Sequence, residues 1–156
     1  MRAKYLLLYI SGMALAVLMA VPREAIGACS FESVTGVNFG AYDVFNNSHT
    51  DSTGSITYRC NLLQLSQITI DLSKGSAPTY VPRQMRQGTD TLDYNLYLDA
   101  SRASIWGDGT GGSSRYGPQL PLLGIPVTVT IYGRVPARQN ARVGSFTDTI
   151  TVTINF

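Results

Sequence analysis

The final stretch of the chain, residues 145–156, reads S-F-T-D-T-I-T-V-T-I-N-F. Ile150, Val152, Ile154 and Phe156 share one parity; Thr149, Thr151, Thr153 and Asn155 take the other. This period-2 alternation predicts a β-strand with one face buried and one wet. An apolar strand at the very end of a chain presents a sheet edge, and natural sheets blunt or cover their edges. Nothing downstream in this sequence covers it, which raises the question whether another molecule does.

Upstream, the same alternation recurs. Ser55–Cys60 places Ile56, Tyr58 and Cys60 against Thr57 and Arg59, and residues 67–72 place Ile68, Ile70 and Leu72 on one side. Residues 92–99 set Leu92, Tyr94, Leu96 and Leu98 against Asp93, Asn95, Tyr97 and Asp99, and residues 127–132 set Val127, Val129 and Ile131 against threonines. Residues 29–42 carry Phe31, Val37, Phe39 and Tyr42 as apolar anchors, with glycines at 36 and 40 that permit bends. Residues 43–54 read as a polar loop, residues 81–88 as an extended connection broken by Pro82, and residues 107–117 as a glycine-rich turn. Residues 103–106 are a candidate short strand. Six convincing strands, no helical periodicity after the first 27 residues and no internal repeat point to an all-β sandwich. An immunoglobulin-like sandwich needs seven strands, one more than this count.

A length of 156 residues suits one domain. Residues 1–4 form a basic head, residues 5–21 a nearly uncharged apolar run, and Ala25-Ile26-Gly27 a small-residue cleavage site, the order of a secretory signal peptide over residues 1–27. An uncleaved anchor is the alternative, although 17 apolar residues are short for a bilayer. Ile26-Gly27-Ala28-Cys29 also loosely matches a lipoprotein site, but Arg23 and Glu24 interrupt the approach and Cys60 would be orphaned. Removing the leader reduces 12 basic and 10 acidic groups to nine of each, so no electrostatic case for nucleic acid or an anionic membrane survives. Export implies an oxidising compartment, in which Cys29 and Cys60 most simply form one disulfide. Its loop closure contributes on the order of 3–4 kcal/mol.

Catalytic signals are thin. His49 is the lone histidine, in a polar loop with no ligands at metal spacing, and no G-x-S-x-G turn accompanies it. The loop at 107–114 lacks the Lys and Ser/Thr of a phosphate-binding loop, and Asp108 is too few oxygen ligands for calcium. Trp106, Tyr97 and Tyr132 are candidates for an aromatic carbohydrate-binding face, with core packing as the plainer reading. Arg134, Arg138 and Arg142 bracket one solvated loop. No enzyme, cofactor or metal is expected.

Three ordered motifs carry a resemblance. The first is Cys29 followed by V-N-F-G-A-Y-D and then G-S-I-T-Y-R-C at 54–60. The second is Y-N-L-Y-L-D-A with I-W-G-D-G-T-G, and the third is I-Y-G-R-V-P followed by G-S-F-T-D-T-I-T-V-T-I. Over residues 29–156 the chain resembles the spore coat protein U domain family, shared by subunits of archaic chaperone–usher pili. The resemblance implies an incomplete immunoglobulin-like sandwich that accepts a donor strand, first from a periplasmic pilus chaperone and then from a neighbouring pilus subunit, with an outer-membrane usher as a further partner. It implies export through the periplasm to the cell surface as a fibre subunit, or secretion as a coat protein. Ile150, Val152, Ile154 and Phe156 become candidates for lining the acceptor groove, opposite Phe31 and Val37; the alternative is that they fill a closed core.

Polymerising subunits of this kind carry a donor segment before the first cysteine. Cleavage after Gly27 or Ala28 leaves at most one residue there, so this chain is expected to accept a strand and not to donate one. Two other readings remain. One is a fibre-tip adhesin or carbohydrate-binding module that meets a host or abiotic surface. The other is a self-complete coat protein, which requires one more strand within residues 107–124.

Overall fold

The structure is a computed structural model that describes residues 28–62 and 66–156; the leader expected over residues 1–27 lies outside them. Eight strands follow in order: β1 Cys29–Thr35, β2 Thr50–Cys60, β3 Ile68–Leu72, β4 Arg83–Gln87, β5 Asp90–Tyr97, β6 Tyr116–Gln119, β7 Val127–Val135 and β8 Val152–Asn155. They form two antiparallel sheets, β1-β2-β7-β5-β4 and β6-β3-β8, and no helix appears among the described residues. The architecture is the immunoglobulin-like two-sheet sandwich that the alternating strands predict.

The inward-facing residues are those the alternation marked: Ile56 and Tyr58, Ile68, Ile70 and Leu72, Leu92, Tyr94 and Leu96, and Ile131 form the buried core. Cys29 and Cys60 face each other in the β1–β2 register and form the disulfide, across a sequence separation of 31. Trp106 is fully buried and ties the layers together. Its N–H donates to the Leu96 carbonyl at 2.9 Å and its indole Nε1 to Ile70 at 2.9 Å, while Leu72 donates to the next residue, Gly107, at 3.2 Å.

The strand count differs from the expected six. β2 starts at Thr50, inside the expected polar loop, because Thr50–Gly54 ladder against Ile131–Val135 of β7 without any apolar alternation of their own. β4 occupies the expected connection after Pro82; its Arg83 is buried by hydrogen bonds and not by an apolar side chain. β6 does lie within residues 107–124, but it pairs with β3 on the edge away from β8 and so does not complete the sandwich beside the last strand. Residues 103–106 contribute two isolated bridges, Tyr97 to Ile105 and Trp106 to Ser114, and no strand. The C-terminal strand is shorter than the sequence pattern, and the site explains why.

Candidate functional site

A groove of about 920 Å³ opens between the layers. Its floor is apolar, built from Leu92, Tyr94 and Leu96 of β5, Ile131 and Val135 of β7, and Leu72 of β3. Its two lips are the segments 36–45, which follow β1, and 141–150, which precede β8.

The first lip exists because two glycines allow it. A Cβ at Gly54 would lie 2.5 Å from the Thr35 carbonyl oxygen, so only glycine lets β1 turn off its ladder there. The chain then crosses the inner face of the large sheet. Val37 and Phe39 rest on Gly133, where a Cβ would come within 2.6 Å of Val37 Cγ1 and 2.8 Å of Phe39 Cζ. The Phe39 ring meets Tyr94 edge-on at 6.0 Å. The lip's polar contacts include Gly40 N–H donating to Asn38 Oδ1 at 2.9 Å, Phe45 N–H to Asp43 Oδ1 at 2.9 Å, Ser52 Oγ to the Asn38 carbonyl at 2.6 Å, and the Tyr42 hydroxyl to the Pro136 carbonyl at 2.8 Å.

The second lip changes sheets along its length. Thr147 exchanges two backbone bonds with Arg86 of β4, at 2.8 and 3.1 Å. Asp148 then anchors the crossing: its Oδ1 accepts the Ser76 N–H at 2.8 Å and its Oδ2 the Tyr94 hydroxyl at 2.6 Å. Burial and that bond together push the Tyr94 phenol far above its ordinary pKa, so it stays a neutral donor on the groove floor. Beyond Asp148, Ser73 N–H donates to Thr151 at 2.9 Å, and Val152–Asn155 ladder with β3. The alternating stretch thus divides between two sheets, which shortens β8 to four residues. Among the described residues, no backbone–backbone hydrogen bond joins 36–45 to 142–150.

Of the six residues the sequence nominated, Val37, Ile150 and Val152 line this groove. Phe31 and Ile154 are half-buried and pack on the core outside it, and Phe156 is 53% exposed. Phe39, Tyr94, Met85 and the 141–148 segment are groove residues that the acceptor-site reading omitted. Tyr94 stands in the alternating row of residues 92–98, whereas Phe39 and the 141–148 segment lie outside any strand and Met85 is a single apolar residue among polar ones, with no period to find.

Outside the groove, burial of Trp106 removes it from any exposed aromatic face. His49 Nδ1 accepts the Ala137 N–H at 3.4 Å, and the described residues hold no group of three or more His, Cys, Asp or Glu that could hold a metal. No helix among them is long and apolar enough to cross a membrane. At the disulfide end, Leu62, Leu120, Leu122 and Ile125 are all more than half exposed.

Comparison with known proteins gives three results. The family model of the Spore Coat Protein U domain matches residues 15–153. Protein U of Myxococcus xanthus is 39% identical over 146 residues, an alignment covering 83% of this chain and 78% of that protein. Among solved structures, the fold resembles a chain in the crystal structure of the CsuC–CsuE chaperone–tip adhesion subunit pre-assembly complex, from archaic chaperone–usher Csu pili of Acinetobacter baumannii. The TM-score is 0.56 at 19% identity, over 83% of this chain and 40% of that one. At that identity the likeness is one of fold.

Proposed function

This chain belongs to the spore coat protein U domain family, and from that membership we propose that it is a structural subunit of a secreted surface fibre or coat. It would be exported through the periplasm and assembled by accepting an extended strand into the groove between residues 36–45 and 141–150. The donor is a periplasmic chaperone during export and a neighbouring subunit in the assembly, with an outer-membrane usher between the two stages. No catalysis is involved.

One observation carries the reading: an apolar groove whose two lips share no ladder with each other. An inserted strand would give their backbone groups partners, and its alternate side chains would settle on the floor. Of the nominated residues, Val37, Ile150 and Val152 would meet such a strand, whereas Phe31 and Ile154 pack on the core outside the groove and Phe156 is 53% exposed. Burying four apolar side chains of such a strand is worth roughly 6–12 kcal/mol before ordering costs.

The test is thermal unfolding of the oxidised chain from residue 28 onward, alone and with synthetic peptides of alternating apolar character. A midpoint that rises by tens of degrees with an alternating peptide, and not with a scrambled one, is the expected result. Cooperative melting at high temperature that ignores every peptide would return the chain to the self-complete reading.

The fibre-tip alternative keeps one supporting observation. The exposed Leu62, Leu120, Leu122 and Ile125 come from two segments, 60–70 and 116–133, that contain no ionisable Asp, Glu, Lys, Arg or His. Such a patch suits contact with an apolar surface. Leu62→Asp with Leu122→Asp should abolish retention on an alkyl-coated resin and leave peptide-induced stabilisation intact.

A further inference from the structure

We propose that Tyr42 and Gln139 form a clasp that fixes the spacing of the two lips at one end of the groove, making both of them positioning residues for the strand the groove accepts. This rests on the strand-accepting reading above.

The clasp begins with a vacancy in a ladder. In the β5–β7 register Asn95 faces Arg134 and Leu96 faces Gly133, so the continuation falls on Asp93 and Pro136. Pro136 has no N–H to give, and β7 ends at Val135. The Gln139 carboxamide fills the place: Asp93 N–H donates to Oε1 at 2.8 Å, and Nε2 donates back to the Asp93 carbonyl at 2.8 Å. A side chain thereby reproduces the two-bond exchange of a hydrogen-bonded antiparallel pair. Nε2 also reaches the Pro136 carbonyl at 3.2 Å, and Arg138, at φ 58°, turns the loop back to permit this.

Gln139 is bound on its other side by Tyr42. The Gln139 N–H donates to the Tyr42 oxygen at 2.8 Å, and the Tyr42 hydroxyl donates to the Pro136 carbonyl at 2.8 Å. Tyr42 lies within one lip, and Gln139 leads into the other at Ala141. Arg138 Nε on Asn47 Oδ1, at 2.5 Å, adds a tie on the same side. With no backbone–backbone bond between 36–45 and 142–150, the groove is pinned at the Tyr42 end and free along the rest. Spacing fixed before binding removes part of the ordering cost that an incoming strand meets.

The experiment uses the oxidised protein produced from the full chain, unsubstituted and as Tyr42→Phe, Gln139→Leu and the double variant. The probe is a dodecapeptide of alternating isoleucine and threonine with flanking lysines. Peptide affinity is read by fluorescence anisotropy and domain stability by the urea midpoint without peptide. Tyr42→Phe removes one oxygen and both its bonds, and should weaken peptide binding roughly fivefold to tenfold. Gln139→Leu should weaken it at least as much, and the double variant should fall short of the product of the two, because the residues act as one unit. Lower urea midpoints with unchanged affinity of the folded protein would mean that the contacts only hold the loop, and would overturn the proposal. Binding by the unsubstituted protein that all variants match overturns the clasp alone, whereas no binding by the unsubstituted protein overturns the strand-accepting reading and the clasp with it. Should Gln139→Leu not fold, Tyr42→Phe decides.

Discussion

The two halves of the chain between Cys29 and Phe45 follow different rules. From Cys29 to Thr35 the backbone is laddered to β2, apart from one irregularity between Phe31 and Ser33, and the start is covalently joined to Cys60. From Gly36 to Phe45 the side chains are at least as apolar, and Val37 and Phe39 pack on the large sheet, yet the backbone runs without a strand partner. Burial alone therefore does not make a strand here. The first half is the finished part, laddered to β2; the second packs Val37 and Phe39 on the sheet while its backbone stays outside any ladder and Phe45 stands 88% exposed. Substitutions in the finished part should cost folding stability, and those at the lips should act on strand acceptance.

The largest loss should come from Arg83, in the laddered and buried part of the sandwich outside the lips. It is wholly buried, donating to Ser73 O at 3.0 Å, Asn95 Oδ1 at 2.9 Å and Trp106 O at 2.6 Å, with the Tyr80 ring 5.1 Å away. Burial lowers its pKa from the ordinary value. Arg83→Ala strands three acceptors and leaves a cavity, for an expected loss of roughly 3–5 kcal/mol in urea unfolding. Arg83→Lys should recover little, since one ammonium cannot reproduce the guanidinium fork. A loss below about 1 kcal/mol would remove the distinction between the two regions.

Next comes the disulfide. Replacing Cys29 and Cys60 together with serine should cost about 3–4 kcal/mol, the loop entropy of a 31-residue separation. The substitution lies away from the lips, so peptide affinity of the folded fraction should be unchanged. A matching fall in affinity would show that the lips depend on the closed β1–β2 end.

Two glycines sharpen the comparison at smaller magnitude. A Cβ at Gly54 meets the Thr35 backbone oxygen at 2.5 Å, whereas one at Gly133 meets only the side-chain ends of Val37 and Phe39. Backbone held by a ladder cannot yield cheaply; side chains on an unladdered lip can. Gly54→Ala should cost about 1–3 kcal/mol, and Gly133→Ala less than about 1 kcal/mol while displacing the lip and lowering peptide affinity. Equal costs at the two sites would contradict the reading of 36–45 as the more yielding segment.

What the sequence made legible follows the same division. Where one face is apolar and the other polar, as in Ile56–Cys60, Ile68–Leu72 and Val127–Ile131, the alternation locates the strand and its buried side. Where hydrogen bonds replace apolar burial, it does not. Arg-Gln-Met-Arg-Gln at 83–87 has no inward apolar row, yet Arg83 is core; Tyr116–Gln119 holds a proline that demotes it as a strand. The two-sheet sandwich could be anticipated because its evidence, stretches of alternating apolar and polar residues, is itself periodic. Of the residues nominated, Val37, Ile150 and Val152 line the groove, but the sheet change at Asp148 places Ile154 and Phe156 beyond it. Nothing in residues 136–142 announces that a glutamine side chain fills a vacant ladder position, because that role depends on a proline and on a register set by distant residues.

The smallest effect expected is that of acid, and it falls on the finished part. Asp99 caps the turn after β5, accepting Ala103 N–H at 3.1 Å, Ser104 N–H at 2.8 Å and the Ser101 hydroxyl. These bonds, the Ser101 one foremost, hold its pKa down to about 2. Arg134 lowers that of Asp51 through a hydrogen bond, and the Thr110 side chain lowers that of Asp108. All three bind protons more readily when unfolded, so stability rises with pH through this window. Their contribution is complete above the unfolded carboxylate range near pH 4 and is lost as pH falls toward 2. Each group is largely solvated, so the effect should be modest and should shrink further in salt. Urea midpoints at pH 5, 4, 3 and 2.5 should therefore decline, and Asp99→Asn should be the flatter of the two curves below pH 4. None of these three carboxylates lies in a lip, so Asp99→Asn should leave peptide affinity of the folded protein at pH 7 unchanged; a loss of affinity there would blur the separation between the two regions.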